Sequence, residues 1–426
     1  MNANPQKRGQ KWHPILAAVS LMVIPMSATI FSVGKAATPP AAAPIKIGFV
    51  ASLSGVGADP SKDMENGIRL WLEQCHGKVA GRDVQLIVEN DESNPATAVA
   101  KVKKLVDQDK VDVLDGLLLA NIGYKVAPVV EEAKMPMIYA VCASDDLTQR
   151  KRSHWIVRTS YTSSQASHPF GEYVAKKLGY KRVVTIGMDY PYGYETVGGF
   201  QDAYENSGGQ VVQKLWAPLG FRDFSQQLSK IRPDADAIYL CTTSAAAELF
   251  PHQYKESGLK LPIVACSSSY DEVILPHLGD DALNAISAAN YSAALDNAAN
   301  KKFVAEYRAK YQADPSGYAA DAYVSGQWIQ KAIEILKGDV SDKTKLLATL
   351  KKVELKDSPR GPVKLDDFGN VVENIYVRKV EKKSGKLQNT VIATFKDVSQ
   401  FWKWNPDDYL KRPAYSRDYP ACSHCQ

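Results

Sequence analysis

Seven histidines and six cysteines carry the widest chemistry in this 426-residue chain, and their spacing narrows it quickly. His76, His154, His168, His252 and His277 show no mutual spacing that suggests a metal set. His168 and His252 read as polar residues of the core or surface. Cys142, Cys241 and Cys266 each end an apolar run and read as small buried residues. Cys422 and Cys425 are close enough in the tail to pair as a disulfide in an oxidising compartment. A zinc site at Cys422-Ser423-His424-Cys425 would lack a second ligand pair. There is no Gly-x-Ser-x-Gly elbow, no His-Glu-x-x-His, and no Gly-x-Gly-x-x-Gly after Ile45–Val50, where a dinucleotide site would place it. The chain reads as a non-enzyme, with no cofactor and no metal.

Binding has better candidates than catalysis. The stretch Ile45–Gly55, IKIGFVASLSG, is a short β-branched run that ends in small residues. Asp59-Pro60 and a helical pattern from Lys62 to Gln74 follow, so it predicts a buried parallel strand feeding a loop and a helix. In open sheets of this kind ligands gather at the carboxyl ends of strands, which makes Ser52 to Ala58, with Ser54 inside it, a candidate binding loop. Leu117, Leu118, Tyr139, Tyr190, Tyr192 and Tyr270 also fall at or near predicted strand ends. A tyrosine offers a flat apolar face and a hydroxyl tip, suited to an aromatic ring with polar substituents. The alternative is that some of them pack beneath loops. Asp189 either accepts a hydrogen bond from a ligand hydroxyl or caps the loop before a helix at Tyr194, and turn chemistry favours the second.

The elements that must position these residues alternate. After the first helix, the pattern predicts strand Val84–Glu89, helix Pro95–Asp107 with Asn94 as cap, strand Val111–Leu119, helix Tyr124–Ala133 and strand Met137–Cys142. It restarts with strand Lys181–Gly187, helix Tyr194–Asn206, strand Gln210–Trp216, helix Phe224–Ile231, strand Ala237–Cys241, helix Ala245–Ser257 and strand Pro262–Cys266. Two successive βα sets of similar size predict an α/β protein with two Rossmann-like lobes, each with a largely parallel sheet. Three helices then follow without strands between them: Lys301–Tyr311, Ala320–Lys337 and Lys343–Lys351. Asn374–Val380 and Thr390–Phe395 read as an antiparallel pair, and Phe401–Gln426 as an aperiodic tail that wraps over the surface.

Composition is that of an ordinary globular protein, 45% hydrophobic and 23% charged. Lys7, Arg8 and Lys11 precede an apolar run from Ile15 to Val33, and small residues flank Lys35, which reads as an export signal over residues 1–36. A membrane anchor is the alternative, weakened by Pro25 and the serines. Residues 37–44 read as a linker. Removing residues 1–36 takes four basic side chains and no acidic ones from a net charge of +5, leaving +1. That leaves no basic footprint for nucleic acid.

With this layout in view, the chain resembles the type I periplasmic solute-binding proteins of the leucine/isoleucine/valine-binding class, which serve ABC importers. The markers are Ile47-Gly48 with Leu53-Ser54-Gly55, Asp91-Glu92 before Asn94-Pro95, Asp189-Tyr190-Pro191-Tyr192-Gly193, Phe224-Ser225, and Asp314-Pro315-Ser316-Gly317-Tyr318. The tail also looks like that of relatives that take up aromatic acids. The resemblance implies two lobes joined by three crossovers near Tyr161, Tyr291 and Glu373. One lobe would be residues 45–160 plus 291–372, the other 161–290 plus 373–395, with 396–426 as the C-terminal tail. It implies a monomer whose partners are a small-molecule ligand and an ABC permease of the inner membrane.

In this family a ligand carboxylate is held by main-chain N–H groups and hydroxyls at two turns of the first lobe. Here those turns carry Leu119-Ala120-Asn121-Ile122 and Cys142-Ala143-Ser144, so Ala120, Asn121, Ala143 and Ser144 are the implied contacts. Helix starts expose unpaired N–H groups and partial positive charge, which suits a carboxylate. The serine run usual at the first turn is missing. Amino-acid binders of the class also place an acidic residue against the ligand ammonium, whereas the matching turn here reads Cys266-Ser267-Ser268-Ser269-Tyr270. Ser267, Ser268 and Tyr270 are therefore the implied contacts, with Asp271 and Glu272 as possible substitutes for the missing acid. A buried ammonium without a partner costs several kcal/mol, so an aromatic or hydrophobic acid is the expected ligand. A branched-chain amino acid, or a sensory module reporting a solute to a receptor, are the alternatives.

Overall fold

Apolar β-branched runs closed off by glycine and polar turns build two sheets in the computed structural model, which describes residues 11–18, 20 and 43–425. The expected export signal and linker lie largely outside these residues. No helix among the described residues is long and apolar enough to cross a membrane.

The first sheet holds β1 (Ile45–Ala51), β2 (Lys78–Val79), β3 (Arg82–Asn90), β4 (Val113–Gly116), β5 (Met137–Tyr139) and β6 (Ile156–Arg158), in the order β2-β3-β1-β4-β5-β6. All neighbours are parallel except β2 with β3. Helices α1 (Ala58–Gln74), α2 (Pro95–Asp107) and α3 (Ala120–Ala133) make its crossovers. The chain then adds α4 (Ser167–Tyr173) and builds the second sheet. Its parallel part is β7 (Arg182–Met188), β8 (Gln210–Ala217), β9 (Ala237–Cys241), β10 (Ile263–Ala265) and β11 (Ile286–Ala289). Between them lie α5 (Pro191–Glu205), α6 (Ser225–Ser229), α7 (Ser244–Glu256) and α8 (Leu275–Leu278). Helices α9 (Ala298–Tyr311), α10 (Gly317–Ile335) and α11 (Lys343–Leu350) return to the first core. Antiparallel β12 (Glu354–Leu355), β13 (Val363–Leu365), β14 (Val371–Lys383) and β15 (Lys386–Val398) then extend the second sheet, with β14 beside β11. A short α12 (Pro406–Lys411) lies in the tail.

Several elements differ in extent from their sequence pattern. The helix expected over Phe224–Ile231 is reduced to α6, because Arg232 precedes Pro233 and the residue before proline disfavours helix. The strand expected over Met137–Cys142 stops at Tyr139. Beyond it, the Cys142 N–H turns to the Leu117 carbonyl at 2.9 Å, which bends the chain into a loop at the sheet's carboxyl end.

Packing depends on close backbone approach. A Cβ on Gly67 of α1 would sit 2.1 Å from the Ala319 carbonyl oxygen of α10, and one on Gly326 would enter the Trp71 ring. Gly67→Ala should therefore lower stability by about 1–3 kcal/mol or more through overpacking, read as a drop in the denaturation midpoint.

The tail is bound, as its aromatic content suggested. His168 of α4 is fully buried, packs edge-on to Trp404 with centroids 4.9 Å apart, and lies 3.3 Å from the Tyr415 hydroxyl. Cys422 and Cys425 are joined as a disulfide, and Cys142, Cys241 and Cys266 are buried free thiols. Burial, with the nearby Arg412 charge, pushes the His168 imidazole down from 6.5 to about 3. Between those values the unfolded chain binds a proton that the folded chain refuses, so stability falls as pH falls through this window. His168→Gln should lose less stability than the unaltered protein between about pH 7 and pH 4, measured by denaturant titration.

Candidate functional site

The carboxyl ends of both sheets face one narrow cavity. From the first half, Pro60 of α1, Leu118, Ala120 of α3, Val141 and Ala143 line it; from the second, Tyr190, Tyr192, Ser244 and Ser268 do. Tyr161, from the connection between the sheets, and Tyr318 of α10 complete it. The space is about 30 Å³, room for about two waters. A larger guest must enter while the walls are apart.

None of the lining side chains is charged. What the cavity has in place of a cation is helix starts. Pro60, Ala120, Tyr192, Ser244 and Tyr318 each lie in the first turn of a helix. The N-caps of α1, α3, α5 and α7 (Gly57, Leu119, Tyr190 and Thr243) make no side-chain capping bond. The fifth helix at the cavity, α10, is capped by Ser316; elsewhere α2, α9, α11 and α12 are capped by Asn94, Asn297, Asp342 and Asn405, while the short α4, α6 and α8 are not. Capping normally satisfies N–H groups that a helix start leaves open. Here those groups and the positive ends of several helix dipoles are left to the cavity. Ser244 also holds φ at +51°, a left-handed backbone that costs a serine about 1–3 kcal/mol and is characteristic of ligand clamps.

The hydroxyls form a second layer. Tyr192 Oη lies 3.2 Å from Ser268 Oγ, which donates to the Thr242 carbonyl at 2.9 Å. Burial, with neighbouring thiols and phenols, pushes the Tyr192 phenol well above its ordinary value, so it is a neutral donor.

The structure brings Ala120, Ala143, Tyr190, Tyr192 and Ser268 together on the cavity wall. Ser54 is exposed and accepts from Asn90 Nδ2 at 2.9 Å. Asn121 follows Ala120 on α3, with a buried Oδ1 that meets no partner among the described residues. The Ser144 hydroxyl is committed to the Ala120 carbonyl at 2.8 Å, tying the two expected turns to each other. Ser267 lies under Tyr192 in the adjoining small cavity, and its carbonyl accepts from Arg378. Tyr270 is wholly buried in the second core, and Leu117 and Tyr139 in the first. Asp189 accepts from the Tyr194 hydroxyl and lies 3.4 Å from Arg417, as a loop residue would. The two possible substitutes for the missing acid are spent elsewhere. Asp271 accepts the N–H groups of Val273 and Gly317, both at 3.2 Å, and Glu272 lies 3.4 Å from Arg378 and accepts the Ala293 N–H.

Tyr161, Tyr318, Thr243 and Ser244 were not among the expected contacts. Tyr318 ends the DPSGY run, whose proline, serine and glycine announce a helix start, here capped by Ser316 and by Asp271, which accepts the Gly317 N–H. Tyr161 carried no local signal, because only the tertiary fold brings it to the cavity.

The periplasmic binding protein family model matches residues 44–386. The chain belongs to this family. Leu/Ile/Val-binding protein homolog 6 of Brucella melitensis is 31% identical over 362 residues, 82% of this chain and 91% of its own length. Two solved structures from Rhodopseudomonas palustris are also similar. A solute-binding protein from strain BisB5 in complex with 3,4-dihydroxybenzoic acid has a TM-score of 0.80 and 31% identity, covering 84% of this chain and 98% of its own. One from strain HaA2 in complex with p-hydroxybenzoic acid has a TM-score of 0.79 and 32% identity, with the same coverage.

Asp189→Asn in this binding protein should leave ligand affinity unchanged and cost less than about 1 kcal/mol of stability, since its partners are partly exposed. Calorimetric titration beside a thermal melt checks both.

Proposed function

We propose that this periplasmic binding protein captures a small aromatic carboxylate between its two halves, residues 45–160 plus 291–372 and 161–290 plus 373–395, and hands it to an inner-membrane permease. It is the substrate-binding protein of an ABC transporter, exported by the segment over residues 1–36 and acting as a monomer without catalysis. The observation that carries the ligand class is the set of uncapped helix starts around a cavity with no charged side chain. An anion is stabilised there by N–H groups and helix dipoles, while an ammonium would be desolvated with no carboxylate to meet it.

The tyrosines define the rest of the ligand. Tyr161, Tyr190, Tyr192 and Tyr318 supply flat faces, and the Tyr192–Ser268 pair supplies hydroxyls for a polar ring substituent. The R. palustris relatives, solved with dihydroxy- and hydroxybenzoic acids, agree with this chemistry. Each half contributes contacts, so a ligand touching both favours the closed form by its differential affinity.

A thermal-shift series with benzoate, 4-hydroxybenzoate, 3,4-dihydroxybenzoate, leucine and isoleucine tests this reading. A true ligand at one hundred times its dissociation constant adds about 2.7 kcal/mol of stability. Shifts with the aromatic acids and none with the amino acids are expected. A shift with leucine or isoleucine alone would overturn the aromatic assignment and leave a branched-chain amino-acid carrier.

A further inference from the structure

A charge stands one layer behind the cavity wall. Arg158, the last residue of β6, is fully buried. Its hydrogen bonds all go to neutral oxygens. Nε donates to the Cys142 carbonyl at 2.9 Å, Nη1 to Thr148 Oγ1 at 2.6 Å and Asn370 Oδ1 at 2.9 Å, and Nη2 to the Ser144 carbonyl. The other fully buried arginines, Arg360 and Arg378, each face a carboxylate within ion-pair distance. Among the described residues Arg158 has none within 4.0 Å.

In a planar trans peptide the C=O and N–H point in opposite directions. Arg158 takes the Cys142 carbonyl, so the N–H of Ala143 is turned away from the guanidinium, and Ala143 lines the cavity. No backbone or side-chain acceptor meets this N–H among the described residues. The neighbouring clamp shows the same geometry in full. The Ser144 carbonyl faces Arg158, and the Asp145 N–H of the same peptide donates the other way, to Glu195 Oε2 at 3.2 Å.

We propose that Arg158 is the positioning residue of the carboxylate site, holding the Cys142–Ser144 turn with the Ala143 N–H toward the ligand and biasing the cavity toward an anion over its neutral isostere. The proposal rests on the carboxylate reading above. Through the shared peptide the guanidinium would lie about 8 Å from a carboxylate on the Ala143 N–H, and at an effective dielectric constant of about 20 a unit charge at that distance gives roughly a thirty-fold preference. The group that can offset this charge is Asp145. Its Oδ1 accepts the Ser164 N–H at 3.2 Å, its Oδ2 meets no partner among the described residues, and Glu195, Asp146, Tyr124 and Tyr409 are its other titratable neighbours. Burial raises the Asp145 carboxyl to about 6, against the pull of Ser164 and Arg158.

The test is the ratio of affinities for a carboxylate and its primary amide, 4-hydroxybenzoate against 4-hydroxybenzamide, in the full chain and three variants. Arg158→Gln, which keeps a donor for the turn, should cut the ratio about ten-fold or more. Arg158→Lys, which keeps the charge, should restore part of it. Asp145→Asn, which keeps the Ser164 bond, should raise the ratio above that of the unaltered protein. Circular dichroism confirms that each variant is folded, and the Asn variant decides the matter if Arg158→Gln does not fold. Equal losses for acid and amide in Arg158→Gln, or a ratio unmoved in folded Asp145→Asn, would overturn the proposal and leave Arg158 a structural residue. If the thermal series instead identifies a non-aromatic acid, the same ratio is measured with that acid and its amide. A shifted ratio then supports the role of Arg158 while the aromatic reading falls.

Discussion

The two halves of the molecule are joined at one buried guanidinium. Arg360 Nη1 lies 3.1 Å from Asp321 of α10 and also bonds Glu373 at the start of β14, while Nη2 donates to the Thr159 carbonyl just after β6. Asn290, just past β11, donates to Asp321 at 2.9 Å and to Glu373 at 3.4 Å. Segments following the last strand of the first sheet, leaving the parallel strands of the second, and entering β14 are thus held by one cation and two carboxyls. Burial pushes both acids up, Asp321 to about 7 and Glu373 well above its ordinary range, with Arg360 pulling the other way. Removing one partner from such a set leaves an uncompensated buried charge, at a cost of about 3–5 kcal/mol. The strength of this node lies in its position, because it ties together segments that follow the last strands of both sheets.

Beside this node, the chemistry of the cavity follows from how charge is stored around it. A lysine or arginine in the wall would have to be desolvated each time the halves closed. Partial charges at helix starts are built into the backbone and need no such transfer. The same logic explains why the three fully buried arginines sit behind the walls and not in them. Arg360 and Arg378 are neutralised by acids, and Arg158 by peptide dipoles. The contact across the halves beside the cavity is equally frugal with charge. Tyr124 of α3 donates to Glu195 of α5 at 2.6 Å, and Ser163 donates to the same carboxyl group at 2.6 Å. Burial, with Asp145 beside it, pushes Glu195 well above the usual carboxylate range.

Much of the fold was legible because its signals are local. The β-branched run at Ile45, the Asn94-Pro95 start of α2 and the alternation of strand and helix are set within a few residues each, and all reappear in the structure. On the cavity wall Tyr190 and Tyr192 were legible from their place at a strand end, while Ala120, Ala143 and Ser268 were implied only by the family resemblance. Ser54, Asp189 and Tyr270 share the same kind of position but are turned to a neighbouring loop or into the core, a choice that side-chain packing makes. Tyr161 and Tyr318 arrive from segments far apart in the chain. Arg360 sits in Asp357-Ser358-Pro359-Arg360-Gly361, a polar turn that reads as surface, and only its tertiary partners bury it.

The tail adds a restraint beyond the residues that the family model matches. Arg150, in the turn after β5, donates to the Tyr409 carbonyl at 3.0 Å and the Arg412 carbonyl at 2.8 Å, with its guanidinium 5.3 Å from the Tyr409 ring centroid. On the other side Arg412 and Tyr415 both bond Asp202 of α5, at 2.8 and 2.9 Å. The same few residues therefore grip a loop of the first half and a helix of the second. Parting the tail from either side would break charge-assisted hydrogen bonds worth about 1.5–3 kcal/mol each. The tail makes more hydrogen bonds to α4 and α5 than to Arg150, so it is held more firmly to the second half than to the loop after β5.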